Sequence, residues 1–287
     1  RYILRGRLHK TIDRIQVTAE LLNAADDKIL WLETFDEAIT DFPNLQIEIT
    51  DNVLKALTVE LSIAERERFN KIYTKNSEAY QLYLVGRYQT ASRTRENLEK
   101  AIKTFSQARD KDPNFALAYA GLSDAYSLLN IYQIPPPPDA FAKAKENAQK
   151  ALALDNNLSE AHASLGYLLF YGDRNFPEAE HHLSQAIALN PSYPTAYHWY
   201  ALILSATGRH TEAIGNIKNA VRLEPRSAII HTAASMVYFH ARSFPDALIQ
   251  SNDALEIDNG FVPAYKMLRV IHGAMGNYDT SLDAYHK

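Results

Sequence analysis

One phrase closes five consecutive segments of this chain, and nothing else in its 287 residues restricts the fold so much. The segments end Ala108-Arg-Asp-Lys-Asp-Pro113, Ala151-Leu-Ala-Leu-Asp-Asn156, Ala186-Ile-Ala-Leu-Asn-Pro191, Ala220-Val-Arg-Leu-Glu-Pro225 and Ala254-Leu-Glu-Ile-Asp-Asn259. Successive stops lie 43, 35, 34 and 34 residues apart, and an alanine sits 12 residues before each: Ala101, Ala144, Ala179, Ala213 and Ala247. A period of this length marks a unit that buries its apolar side by stacking on its neighbours.

Each unit reads as two helices. Ahead of the alanines stand Tyr119-x2-Leu122-Ser123-x2-Tyr126, His162-x2-Leu165-Gly166-x2-Leu169, Tyr197-x2-Tyr200-Ala201-x2-Leu204 and His231-x2-Ala234-Ser235-x2-Tyr238. Large residues at helical spacing around a small one let a partner helix approach closely. In one unit Tyr197, Tyr200 and Leu204 share a face of the first helix, and Ala213, Ile217 and Ala220 share a face of the second. Gly208 ends that first helix where positive φ is least costly, and Pro225 bars continuation of the second. These residues resemble the tetratricopeptide repeat, a helix-turn-helix unit. The resemblance implies a mainly α fold, an α-solenoid over residues 77–287, and a role in binding other proteins.

The array is predicted to open at Ser77, with Leu82-x2-Val85-Gly86 and a polar turn at Ser92 to Asn97. The second repeat carries its extra residues in Ile134-Pro-Pro-Pro-Pro-Asp139, which reads as an extended loop. One residue is added near Gly172-Asp173, and a partial sixth repeat starts at Val262, with Arg269 where a small residue is expected.

Before the array, Tyr2 to Leu8, Ile12 to Leu22 and Ile29 to Phe35 alternate apolar and polar residues. Ile15, Val17, Ala19 and Leu21 point one way while Gln16, Thr18 and Glu20 point the other, so antiparallel hairpins follow. Leu45, Ile49, Val53, Leu57 and Leu61 then mark an amphipathic helix able to cover the sheet. Residues 1–61 thus make a small, incomplete α+β domain, and the charged stretch 62–76 a helical linker. The first strand is an unprotected edge, which predicts strands upstream or pairing with another molecule, self-association included. The opening at Arg1 inside a strand, without an initiator Met, reads as a fragment. Tyr2-Ile3-Leu4-x-Gly6, Arg14-Ile15-x-Val17-Thr18-Ala19-x-Leu21, Leu30-Trp31, Phe35-Asp36 and Leu45-Gln46-x-Glu48-Ile49 resemble the second half of the TolB-like amino-terminal domain. That resemblance implies a place in bacterial regulators, behind a winged-helix DNA-binding domain or an adenylate cyclase domain.

Composition excludes several functions. Net charge is −4 with pI near 6.2, so no basic field for nucleic acid is present. No apolar run is long enough to span a membrane. The chain holds no cysteine, which rules out disulfides and thiol chemistry but leaves the compartment open: the cytoplasm is favoured, and the periplasm if a transmembrane segment lies upstream. Nucleotide loops, HExxH, EF-hand and GxSxG sequences are missing, so neither catalytic residues, cofactor nor metal is assigned. His181-His182 cannot face one ion, because helix neighbours point about 100° apart, and His162 and His231 occupy a packing slot. Ser164 sits inside a helix, not at a nucleophile turn. Asp173, Glu178 and Glu180 read as a solvated face with nothing to shift their pKa values.

A partner would bind where first helices line the inner surface of the stack. By helical phase the inward residues are Tyr80, Tyr83, Arg87, Asp124, Tyr167, Phe170, Tyr171, His198, Met236, Phe239, His240 and Lys266. This set is rich in aromatics and lacks the spread of Lys, Arg and Asn with which some tetratricopeptide repeats clamp carboxylate ends. The sequence therefore reads as a non-catalytic interaction module, the sensory or scaffold part of a bacterial signalling or transcription regulator. The alternatives are the regulatory part of a cyclase whose catalytic domain lies upstream, or an envelope assembly factor.

Overall fold

The computed structural model describes residues 2–38, 42–132 and 137–279. Among them run strands β1 (Tyr2–Lys10), β2 (Arg14–Asn23) and β3 (Ile29–Ala38), followed by helices α1 (Phe42–Ala56), α2 (Ile63–Phe69), α3 (Ser77–Ala91), α4 (Arg95–Lys111), α5 (Ala116–Tyr132), α6 (Ala140–Leu154) and α7 (Ser159–Tyr171). The series continues with α8 (Phe176–Leu189), α9 (Pro194–Ala206), α10 (His210–Leu223), α11 (Ala228–His240), α12 (Phe244–Ile257) and α13 (Val262–Ala274). The chain forms two compact units, residues 1–125 and 126–287.

In the first unit the strands lie in the order β1-β2-β3, antiparallel throughout, with Val17 between Leu8 and Phe35. Ile15, Ala19, Phe35 and Leu45 are buried together, with Val17, Trp31 and Ile49 packed against them, so α1 covers the β2 and β3 side. Every residue of β1 is exposed. Several expectations shift. Ile12, 98% exposed, lies in the turn rather than a strand, and Leu57 and Leu61 fall beyond α1. The helix stops because Thr58 turns left-handed (φ 52°) while Val59 N–H donates to the Leu54 carbonyl, the bond pattern of a Schellman cap. Only 63–69 of the linker is helical, started by a reciprocal cap between Ser62 and Glu65. The turn before α4 is shorter than the sequence suggested, since Thr94 already caps α4 through the Asn97 N–H.

The repeat alanines behave as their spacing requires. Ala101, Ala144, Ala179, Ala213 and Ala247 are fully buried, as are Ala108, Ala151, Ala186, Ala220 and Ala254. The small slot touches the partner helix directly. A Cβ on Gly166 would lie 2.9 Å from the Ala179 carbonyl oxygen, and at the same place in the later repeat Ser235 Oγ donates to the Ala247 carbonyl at 2.8 Å.

The turn between repeats has its own device. Asp112, Asn190 and Asp258 accept from the backbone N–H two residues on, and Asp155 does the same. The carbonyl of the following stop residue is met by the ring opening the next first helix: Tyr119 to Pro113, His162 to Asn156, His231 to Pro225 and Tyr265 to Asn259, at 3.0 to 3.2 Å. Tyr and His alternate in that slot because each combines a packing ring with a donor at its tip.

Within repeats, the hairpin turn needs one left-handed residue. Arg93, Arg174, Gly208, Arg242 and Gly276 all have φ between 51° and 79°. The N–H of Arg209, Ser243 and Asn277 then returns to the carbonyl of Leu204, Tyr238 and His272. The added residue near Gly172 stretches this closure by one position, from Asn175 to Leu169.

Ile134, Pro135 and Pro136 of the proline stretch, and residues 280–287 of the sixth repeat, lie outside the described residues. Pro138 and Asp139 form a turn leading into α6.

Candidate protein-binding surface

In the second unit each first helix packs on the next one, α7 on α9, α9 on α11 and α11 on α13, besides packing on the second helix between them. No two second helices make comparable contact among the described residues. The first helices therefore form one continuous row, and a side chain on that row is buried if it points along the row and exposed if it points away from it.

This geometry sorts the twelve sequence candidates. Tyr167 of α7 points along the row and is buried, stacked on Trp199 of α9 with ring centroids 4.5 Å apart and planes at 28°. His198 is buried on α9, and in the first unit Tyr83 is buried between Phe105 and Phe115. These three pack the interior and offer no surface to a partner, against the expectation that placed them inward-facing and open. Arg87, Tyr171, His240 and Lys266 are exposed, while Tyr80, Asp124, Phe170, Met236 and Phe239 are half-buried. Tyr80 donates its hydroxyl to Gln46 Oε1 at 2.6 Å, and burial pushes its pKa up. His240 is fixed by Ser205, whose Oγ lies 2.9 Å from its Nδ1.

In the second unit the aromatics form two clusters. Around α7, Tyr171 packs on Tyr167 and Phe170, each at 4.6 Å, and Phe170 reaches Phe176 at 5.6 Å. Two repeats on, Phe239 meets Phe244 at 5.7 Å in the same pairing. The second member of each pair was missed by helical phase, because it opens the second helix. A signal was present: Asn175-Phe-Pro-Glu-Ala179 and Ser243-Phe-Pro-Asp-Ala247 are the same phrase. Phe176, His210, Phe244 and Tyr278 stand at 34-residue intervals in this slot, and Phe176 and Tyr278 are 41% and 70% exposed.

The polar groups of this unit are tied to one another. Arg209 donates to both oxygens of Glu180 at 2.8 Å and to Glu212 at 2.6 and 2.7 Å, holding both carboxyls below their usual range. Tyr200 donates to Glu180 at 2.6 Å, and burial together with that carboxylate pushes the phenol up to about 12. Glu180 is thus shifted by ion pairing, where the sequence suggested no shift at all. Asp173 pairs with Lys145 at 2.6 Å, so the three acids do not gather. Ser164 donates to the Glu160 carbonyl within its own helix.

His162 and His182 do meet, Nδ1 to Nδ1 at 2.9 Å, while His181 faces solvent. With His162 Nε2 donating to Asn156, its Nδ1 must accept from His182. Burial first, and His162 second, lowers the His182 pKa. Among the described residues no group of three His, Asp or Glu side chains could hold a metal. No described helix is long and apolar enough to cross a membrane.

The family model for the tetratricopeptide repeat matches residues 168–217 and 206–260. A protein of Rhizobium meliloti called putative adenylate cyclase 3 is 29% identical over 183 residues, which is 63% of this chain and 31% of that protein. The transcriptional regulator HilA of Salmonella typhimurium is 28% identical over 165 residues, 55% of this chain and 29% of its own. The chain thus spans about a third of the length of these relatives. Among solved structures, the type IV pilus biogenesis factor PilW aligns with TM-score 0.52 and 16% identity, over 72% of this chain and 90% of that one. Human IFIT1 aligns with TM-score 0.60 and 16% identity, over 84% and 54%. These likenesses concern the fold, and together with the matched repeats they establish it: a mainly α chain of stacked tetratricopeptide repeats behind a small three-stranded antiparallel sheet.

Proposed function

We infer that this chain is a non-catalytic protein-binding module that holds a segment of another protein against its row of first helices. The observation carrying this reading is the pair of half-open aromatic clusters, Phe170 with Tyr171 and Phe239 with Phe244, two repeats apart in one packed unit. Aromatic groups left in water on a rigid scaffold are the composition of a recognition surface. Met236 adds an adaptable apolar contact and Lys266 local charge. Of the residues chosen by phase, Phe170, Tyr171 and Phe239 stay in this surface, and the buried Tyr167 does not. The test is selection from a displayed peptide library on the native chain. Peptides so selected should be lost by Tyr171→Glu/Phe239→Glu with the melting temperature unchanged. Retention of the same peptides by that variant refutes the assignment.

A second reading concerns context. Two relatives with different named outputs, a cyclase and a transcriptional regulator, share this region, which supports a sensory or scaffold part detachable from its output domain. On this reading the sheet and α1 are the later part of a TolB-like domain, and chemistry belongs to sequence outside these residues. Turnover of ATP to a cyclic nucleotide by residues 1–287 alone would defeat it.

A further inference from the structure

The aromatic surface of the repeats has a polar gap with a chemistry of its own. Phe170, Ser205 and Phe239 each stand one residue before the end of α7, α9 and α11, and Phe176, His210 and Phe244 are the first residues of α8, α10 and α12. The middle repeat thus carries Ser205 and His210 where both neighbours carry a pair of phenylalanines. His240, the last residue of α11, reaches back into this gap, its Nδ1 2.9 Å from Ser205 Oγ. Ser205 is 4% exposed, and its hydroxyl makes no other hydrogen bond among the described residues. Its proton therefore goes to Nδ1, and the neutral His240 ring keeps its own hydrogen on Nε2. On the other side of the gap His210 Nδ1 is buried with no hydrogen-bond partner among the described residues.

No acid of the chain serves this pair. Arg209 and Glu212 of α10 hold each other, Asp246 of α12 accepts from Ser243, and α13 carries Lys266, Arg269 and His272 but no carboxylate. Burial first, and His210 second, hold His240 below the ordinary imidazole range, and no carboxylate is among the groups acting on it. We propose that the partner segment held by this surface carries an acidic side chain that binds at His210 and His240, between two apolar anchors. This rests on the reading above and adds the chemistry of the partner. Packed helices lie about 8–10 Å apart, so clusters two repeats apart are spanned by about five or six residues of extended chain at about 3.3 Å each, with the acid near the middle. A carboxylate accepts from His240 Nε2 and favours the charged imidazole, so binding takes up a proton. Affinity then rises as pH falls, by up to about tenfold per unit, and levels off below the pKa of the unbound ring.

The experiment uses the native 287-residue chain and a displayed library with aromatic residues at both ends and five random positions between them, selected near pH 6. Asp and Glu should be enriched at the central positions. Synthetic copies of the selected peptides, followed by fluorescence anisotropy, should bind about tenfold tighter near pH 6 than near pH 7.5, and copies with the acid changed to the amide should show no such rise. His210→Gln/His240→Gln should bind acid and amide copies alike, with circular dichroism like that of the native chain. Selected peptides that lack the acid or bind equally at both pH values, yet are lost by Tyr171→Glu/Phe239→Glu, would leave the aromatic surface standing and overturn this proposal. A preference for the acid that survives in the histidine variant overturns it as well. Selection of no peptide defeats both readings, as does a dimer in sedimentation equilibrium that Tyr171→Glu/Phe239→Glu dissolves, since a second copy then fills the surface.

Discussion

Gly166 and Gly215 both lie inside helices, and the same substitution should move them in opposite directions. In a helix interior Ala is favoured over Gly by about 1 kcal/mol. At Gly215 on α10 an added Cβ meets nothing within 4 Å, so Gly215→Ala should gain that full amount. At Gly166 on α7 the Cβ would sit 2.8 Å from Leu183 Cγ and 2.9 Å from the Ala179 carbonyl oxygen. Leu183 could turn aside, but Ala179 O belongs to the backbone of α8, so the hairpin itself has to open. Overpacking of this kind costs about 1–3 kcal/mol, which outweighs the propensity gain and leaves Gly166→Ala destabilised by up to about 2 kcal/mol. Urea unfolding of the two variants checks this, read by far-ultraviolet circular dichroism and by the fluorescence of Trp199, which stacks on Tyr167 beside the site. A shift of both midpoints toward higher urea would refute the argument that close approach over the small slot limits the hairpin.

The left-handed turn positions give a second test. Relief of strain at Arg242 (φ 59°) is worth about 1–2 kcal/mol and exceeds the chain-entropy cost of glycine, so Arg242→Gly should raise the urea midpoint. Gly208→Ala, whose Cβ touches nothing, should lower it. A third test is pH. His182, facing His162, His181 and Glu178, and His240, facing His210, are both held below the ordinary imidazole range by burial first and by a neighbouring imidazole second; for His182 the Glu178 carboxylate opposes the shift in part. The unfolded chain therefore binds more protons than the folded one once pH falls through about 6.5. The melting temperature should hold above that pH and drop below it, and His182→Gln should flatten the drop.

Much of the repeat architecture was legible because it is written in backbone terms. The stop residues, the buried alanines and the small slot each depend on a local constraint: a barred N–H, a close helix contact, a fixed helical phase. The two faces of β2 were legible for the same reason, since alternation along the strand fixes which residues turn toward α1. Ends were harder. Ile12 has strand propensity yet turns the first hairpin, and Leu61 continues a four-residue spacing that Thr58 has already broken.

The surface was less legible because exposure is decided by residues that helical phase does not contain. Phase says on which side of α7 Tyr167 stands, but Trp199, one repeat away, determines that this side is closed. His162 shows the same limit. Sequence adjacency drew attention to His181 and His182, while the hydrogen bond that forms joins His182 to a ring 20 residues earlier across the hairpin. The slot arithmetic does carry that information once used. His231 and Gln250 occupy the same two positions in the later repeat and meet there at 3.0 Å. In a repeat chain, then, each position has to be placed by its slot in the unit and by the neighbours that slot meets, and those two together leave Tyr171 and Phe176 partly exposed to solvent.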